Sequence, residues 1–302
     1  DPHQMRVAEL RTSLQLLSDE ERAHACFELS GLTFESGEYS EALSLSLEAK
    51  DIYHKFGDQF RYALALATIA FCYHSLCRMD EAIAEMIKAV MEFQDLEVDE
   101  EWEHRNYLAG WFEEIDAWDL ARLEYQRCLQ QFEVDEVVPG RARIFQYLAF
   151  SSCQLGNCSE STDNLYQARM IWQVLNEPMR LAEIDLNLAR CFNHQVMGLK
   201  AEVSASGALA IFEQSQRKDY RAQAYGELAK AKSHQGEKVA ALEFLNRALD
   251  LYGTFIDLSF PGIHSLHREK VRVLHALGQH QEADELETRT SIIDRSLRWN
   301  GI

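Results

Sequence analysis

Four histidines stand close together late in the chain: His264, His267, His275 and His280. The first two are spaced i, i+3, so a helix would place both on one face, and imidazole pairs of that kind can begin a metal site. A metal needs a third and fourth ligand in convergent geometry, and the sequence nominates none, so these read as surface or groove histidines and no metal is expected. The seven cysteines contain no Cys-x-x-Cys pair. Cys72/Cys77 and Cys153/Cys158 lie five apart around a turn, a spacing that suits neither zinc nor an obvious bridge. The expectation is reduced, buried or half-buried thiols in a cytoplasmic protein. Carboxylates are abundant, but they follow a helix-surface pattern and none is singled out as an acid/base pair. Gly-x-Gly-x-x-Gly, P-loop, Gly-x-Ser-x-Gly and His-Glu-x-x-His signatures are all missing. No catalytic residue and no cofactor is expected: the chain reads as a non-enzyme.

What the chain does have is a period. The turn residues Gly37, Cys77, Asp116, Gly156, Val196, Gly236 and Gly278 follow one another at spacings of 40, 39, 40, 40, 40 and 42. Seven residues before each stands a small one (Ser30, Ala70, Ala109, Ala149, Ala189, Ala229), with Val271 the exception. Five after come Ala42, Ala82, Ala121, Ser161, Ala201, Ala241 and Ala283; twelve after, Ala49, Ala89, Cys128, Ala168, Ala208, Ala248 and then Thr290. Sixteen after come the aromatics Tyr53, Phe93, Phe132, Trp172, Phe212 and Tyr252, then Asp294. Small residues facing one another let two helix backbones approach closely, and the aromatic fills the wider space where consecutive hairpins meet. A hairpin alone cannot cover its apolar face, so the units must stack into an all-α solenoid.

These columns resemble the tetratricopeptide repeat. Leu-Ala in the first helix (Leu108-Ala109, Leu148-Ala149, Leu188-Ala189, Leu228-Ala229), a Gly or polar turn, then Glu-Ala (Glu41-Ala42, Glu81-Ala82) are similar to that family's pattern across about residues 22–298. Its early Trp is replaced by Cys26, Leu66, Arg105 and Phe145, and its closing Pro is missing. A period near 40 in place of the usual ~34 implies longer second helices, similar to arrays in bacterial signalling and regulatory proteins. The resemblance implies a right-handed superhelix of about seven helix pairs. Residues 1–20 would be a capping helix or the stump of a preceding repeat. Units would span about 21–57, 58–97, 98–137, 138–177, 178–217, 218–257 and 258–298, with 299–302 as a tail. Ser18-Asp19-Glu20-Glu21 offers a capping box, Pro178 suits a helix start, and residues 253–263 form the irregular connection. The last unit keeps only a thin stripe, Leu286, Ile293 and Leu297, as a terminal cap would.

Bulk properties narrow the function. No apolar run approaches the ~20 residues of a membrane helix, and no signal peptide opens the chain. The unbroken period suggests one elongated domain, and the first residue, Asp1, suggests that a natural start has been removed. The net charge of −19 argues against direct nucleic-acid binding. It is uneven: residues 1–150 hold 30 acidic and 13 basic side chains, residues 151–302 hold 19 and 17. The acidic run from Glu92 to Glu103 reads as a solvated loop and helix start, where carboxylates suit the helix dipole.

In the resembled family, first helices line a concave inner surface. Mapped here, that surface carries Phe27 and Phe71 early and Phe150 midway, as aromatic anchors or inter-helix packing. Later it carries Arg143, Gln146, Arg190, Asn193, Lys230, Arg268 and Arg272. Ion pairs within the wall, Glu183 with Arg143 or Arg190, would account for some of the cations. Otherwise these arginines and lysines, interleaved with amides, suit a carboxylate-bearing peptide or protein segment. The chaperone-type carboxylate clamp is not implied, because Phe27 and Gly31 occupy its Lys and Asn positions. The leading expectation is a non-catalytic peptide-binding module. The alternatives are a ligand-sensing domain attached to an effector in a larger protein, and a self-assembling structural solenoid.

Overall fold

The computed structural model describes residues 2–134, 136–252 and 261–299. Among these there are fifteen α-helices and no strand, and no helix is long and apolar enough to cross a membrane. The chain divides into two compact units, Asp1–Val134 and Asp135–Ile302.

The first unit holds α1 (Pro2–Ser13) and the pairs α2 (Asp19–Glu35) with α3 (Tyr39–Phe56), α4 (Gln59–Ser75) with α5 (Met79–Leu96), and α6 (Glu100–Glu114) with α7 (Trp118–Leu129). The second holds α8 (Pro139–Gln154) with α9 (Cys158–Val174), α10 (Pro178–His194) with α11 (Gly198–Phe212), α12 (Lys218–His234) with α13 (Lys238–Tyr252), and α14 (Pro261–Ala276) with α15 (His280–Trp299). Each pair packs as a hairpin, and within a unit consecutive pairs stack on each other.

The periodic turn residues have one backbone conformation. Gly37, Cys77, Asp116, Gly156, Val196, Gly236 and Gly278 all have φ between 57° and 81°, the left-handed region that ends a helix and reverses the chain. The closing bonds repeat as well: Val196 N–H donates to the Asn193 carbonyl at 3.0 Å and Met197 N–H to that of Phe192 at 2.8 Å. Glycine adopts this conformation freely, whereas the β-branched Val196 does so only under strain.

The small columns are buried. Ala70, Ala109, Ala149, Ala189 and Ala229 face the interior, as do Ala42, Ala82, Ala121, Ala201 and Ala241. Gly198, at the start of α11, sits so close to α12 that a Cβ there would lie 2.8 Å from the Ala231 carbonyl oxygen. The aromatics Tyr53, Phe93, Trp172, Phe212 and Tyr252 are buried in the wider gaps. Phe132 departs from the column. α7 stops at Leu129, so Phe132 lies beyond the helix, half-buried against Trp102 at a ring separation of 5.2 Å. The division into two units falls just after it, where the sequence alone suggested one continuous domain.

In the N-terminal helix Leu10 is buried and the helix ends at Ser13, with a 3-10 turn at Leu14–Leu16. The Glu21 carboxylate accepts from the Ser18 N–H at 3.1 Å and its hydroxyl at 2.7 Å. Cys26, Cys72, Cys128 and Cys191 are buried and Cys153 and Cys158 half-buried, but Cys77 is exposed, a correction that follows from its place at a turn. Residues 253–260, the tail beyond Trp299 and the side chains of Thr290, Ile293, Asp294 and Leu297 lie outside the described residues.

Candidate ligand-binding face

First helices of consecutive pairs touch in the second unit, α10 against α12 and α12 against α14. Their shared face encloses a groove of about 220 Å³. Five residues marked by the sequence line it: Arg190 and Asn193 from α10, Lys230 from α12, and Arg268 and Arg272 from α14. Glu227, Glu269, His194, His234 and Ser265 complete the wall. Four permanent cations thus face two carboxylates in a chain of net charge −19.

The residues differ in how far they are committed. Glu227 is the hub. Lys230 Nζ donates to its carboxylate at 2.9 Å, Arg190 Nε lies 3.8 Å from it, and the Asn193 amide donates to it at 2.8 Å and to its backbone carbonyl at 2.9 Å. Arg190 also donates to Asn187 at 3.0 Å and to Gln223. Arg272 is 3.3 Å from Glu269, but its side chain is 77% exposed. Arg268 is exposed and has no ion-pair or hydrogen-bond partner among the described residues. The sequence placed Asn193 on an open wall, whereas it is 6% exposed, and its Oδ1 is buried with no hydrogen-bond partner. A carbonyl oxygen stranded this way costs about 1–3 kcal/mol, so the groove holds an acceptor in want of a donor.

A second cavity of about 140 Å³ opens on the same face between α8, α9 and α10. Gln146, Phe150, Cys153 and Cys191 line it, and Arg190 borders both cavities. Gln146 accepts from Trp172 Nε1 at 3.1 Å through its carbonyl oxygen, and Phe150 is 48% exposed. Arg143 is exposed on α8 and borders neither cavity. Glu183 pairs with Arg180 at 2.9 Å, the role the sequence had offered to Arg143 or Arg190.

The early aromatics are packed. Phe27 is half-buried, edge-on to Tyr53 at 6.2 Å, and Phe71 is half-buried, edge-on to Tyr107 and Trp111 at 4.9 and 5.5 Å. His74 stacks on Trp111 at 4.9 Å and reaches Glu114 at 3.0 Å.

One feature went unread in the sequence. Arg105 occupies the column where other units have Cys26, Leu66 and Phe145, and it is buried. Its three nitrogens donate to Glu101 at 2.6 Å, Glu124 at 2.7 Å and Gln94 at 2.7 Å. Burial alone would lower the Arg105 pKa, but the bonds to Glu101 and Glu124 outweigh it and hold the guanidinium above its ordinary value. Glu101 belongs to the acidic run expected to be solvated. Here it is buried, because Arg105 stands one turn further along the helix. This network floors a cavity of about 720 Å³, whose exposed apolar side chains are Ile87, Met91, Leu120 and Leu123. An arginine where the units on either side have Leu66 and Phe145 was the available signal.

No family model and no curated protein matches the chain. Solved structures do. A signal-transduction ATPase from Pyrococcus horikoshii with a tetratricopeptide repeat sensor, PH0952, superimposes with TM-score 0.70 at 12% identity, over 99% of this chain but only 45% of its own. The apo form of RapI gives 0.66 at 12% identity over 98% and 87% of the two chains. The apo quorum sensor NprR from B. thuringiensis gives 0.62 at 14% over 94% and 79%. At such identities the likeness is one of fold: the chain is an all-α, tetratricopeptide-like solenoid.

Proposed function

We propose that the chain is a non-catalytic binding module that holds a carboxylate-bearing peptide or protein segment on the α10–α12–α14 face. One observation carries this reading: among the described residues Arg268 has no ion-pair or hydrogen-bond partner, and the Asn193 Oδ1 beside it is buried without a donor. Arg268 and the loosely held Arg272 supply the charge for carboxylates. Asn193 acts from beneath the groove, its amide nitrogen holding the Glu227 carboxylate and backbone carbonyl in place. Arg190 and Lys230 act mainly by holding Glu227. Arg143, Gln146 and Phe150 extend the strip along α8, with the Gln146 amide nitrogen as donor and Phe150 as apolar contact.

The test is fluorescence anisotropy with acidic peptides and their amidated counterparts at two ionic strengths. Exposed single ion pairs contribute ~0–1 kcal/mol each, so binding should need several carboxylates and weaken as salt rises. Arg268→Glu with Arg272→Glu should abolish binding while leaving the helical signal intact. Equal binding of acidic and amidated peptides would overturn the proposal.

A second reading gains support from the likeness to the quorum sensor NprR and to the sensor-bearing PH0952: the module senses its ligand on behalf of an attached effector. Hydrogen exchange with and without peptide separates the two. Protection spreading beyond α10–α14 favours sensing, and protection confined there favours simple docking.

A further inference from the structure

The cavity between α8, α9 and α10 contains chemistry that peptide docking does not use. Cys153 from α8 and Cys191 from α10 both line it, and each thiol acts on the ionisation of the other more than any other group does. Ser161 Oγ lies 3.1 Å from Cys191 Sγ and donates to the Ala149 carbonyl at 2.7 Å. That carbonyl already serves the α8 helical ladder, so the hydroxyl proton can turn to the sulfur without stranding a buried acceptor. Cys191 is 3% exposed and borders a cavity of about 140 Å³, room for several water-sized molecules. Arg190 borders the same space.

We propose that Cys153 and Cys191 are a peroxide-reactive thiol pair that closes into an intramolecular disulfide joining α8 to α10. The oxidant is hydrogen peroxide, small enough for the cavity. The Cys191 thiolate attacks one peroxide oxygen and the O–O bond breaks. With one proton taken up, water leaves and Cys191 carries a sulfenic acid. Cys153 sulfur then attacks Cys191 sulfur, the S–O bond breaks, and the Cys153 proton leaves with hydroxide as a second water. Two thiols lose two electrons and two protons, and one peroxide becomes two waters.

The surroundings favour Cys191 as the attacking sulfur. The neighbouring Cys153 thiol stabilises its thiolate most and Ser161, at 3.1 Å, adds to it, against the penalty of burial, so its pKa is pushed below the ordinary thiol value. The same pairing drives Cys153 upward. The charged and titratable groups around the pair are Cys158 on α9, which opposes the anion, and Arg190 on α10, which favours it, with His194 also on the cavity wall. Cys191 is therefore the more readily ionised thiol of the two, and the thiolate is the nucleophilic form.

Peptide mass spectrometry of the intact chain after peroxide treatment tests this, with exposed Cys77 as internal comparator. The expected product is a Cys153–Cys191 cross-linked peptide lacking two hydrogens, formed equally in Cys77→Ser. In Cys153→Ser, the sulfenic acid on Cys191 should persist and be trapped by dimedone. Its rate of formation should rise with pH, since the thiolate is the attacking form. A link involving Cys158, or oxidation of Cys77 with Cys153 and Cys191 still open to alkylation, would overturn the assignment, as would an untrapped Cys191 in well-folded Cys153→Ser.

Discussion

The two units treat charge in opposite ways. The first carries 28 acidic and 11 basic side chains, the second 21 and 19. The more lopsided unit nevertheless has the better satisfied cluster. Arg105, Glu101 and Glu124 are buried, every arginine nitrogen has an acceptor, and Gln131 and Arg127 serve the remaining carboxylate oxygens at 3.1 and 2.6 Å. Such a cluster tolerates burial because each lost water contact is replaced. In the second unit, cations exceed carboxylates around an open groove, and among the described residues one arginine is unpaired and an amide oxygen is stranded. Buried and complete charge is architecture; gathered and incomplete charge marks a face prepared for something else.

That contrast can be tested by substitution. The largest effect should come from Arg105→Ala, which leaves Glu101 and Glu124 buried without their cation. A loss of about 3–5 kcal/mol is expected, read in urea unfolding, with hydrogen exchange losing protection in α5–α7 first. A loss below 1 kcal/mol would mean that the network is dispensable. Gly198→Ala drives a methyl against the Ala231 carbonyl and should cost about 1–3 kcal/mol, read in α10–α13 and not in the first unit. Val196→Gly removes left-handed strain at an exposed turn with φ of 59° and should stabilise the chain by about 1 kcal/mol. Gly156→Val, the reverse change at an equivalent turn, should destabilise it. Smallest of all, Arg268→Glu should shift stability by no more than about 0.5 kcal/mol, since it breaks no contact. A larger drop would mean that the free arginine is structural after all.

Much of the architecture was open to inspection beforehand. Helix count, turn positions and the small columns follow from a period in which each residue type answers a local need: a left-handed turn, a close crossing, a gap to fill. Phe132 shows where this stops. Its column position is right, but α7 ends early, and a helix end depends on packing that the period does not record. The candidate face was legible as a list of cations, because first-helix positions are set by the turns. Their rank was not. Arg190, Lys230, Arg268 and Arg272 look alike in sequence, and only their distances to Glu227 and Glu269 separate the committed from the free.

Sequence alone determined the repeat, because stacking hairpins need the same small and aromatic residues at the same places in every copy. Tertiary structure alone decided which distant side chains meet. Cys153 stands five residues from Cys158 but shares a cavity with Cys191, and Arg105 finds Glu124 in the next helix and Gln94 in the previous one. Those pairings depend on how adjacent hairpins rest on one another. That is set by the sum of many small contacts, none of which is visible in a single unit's sequence.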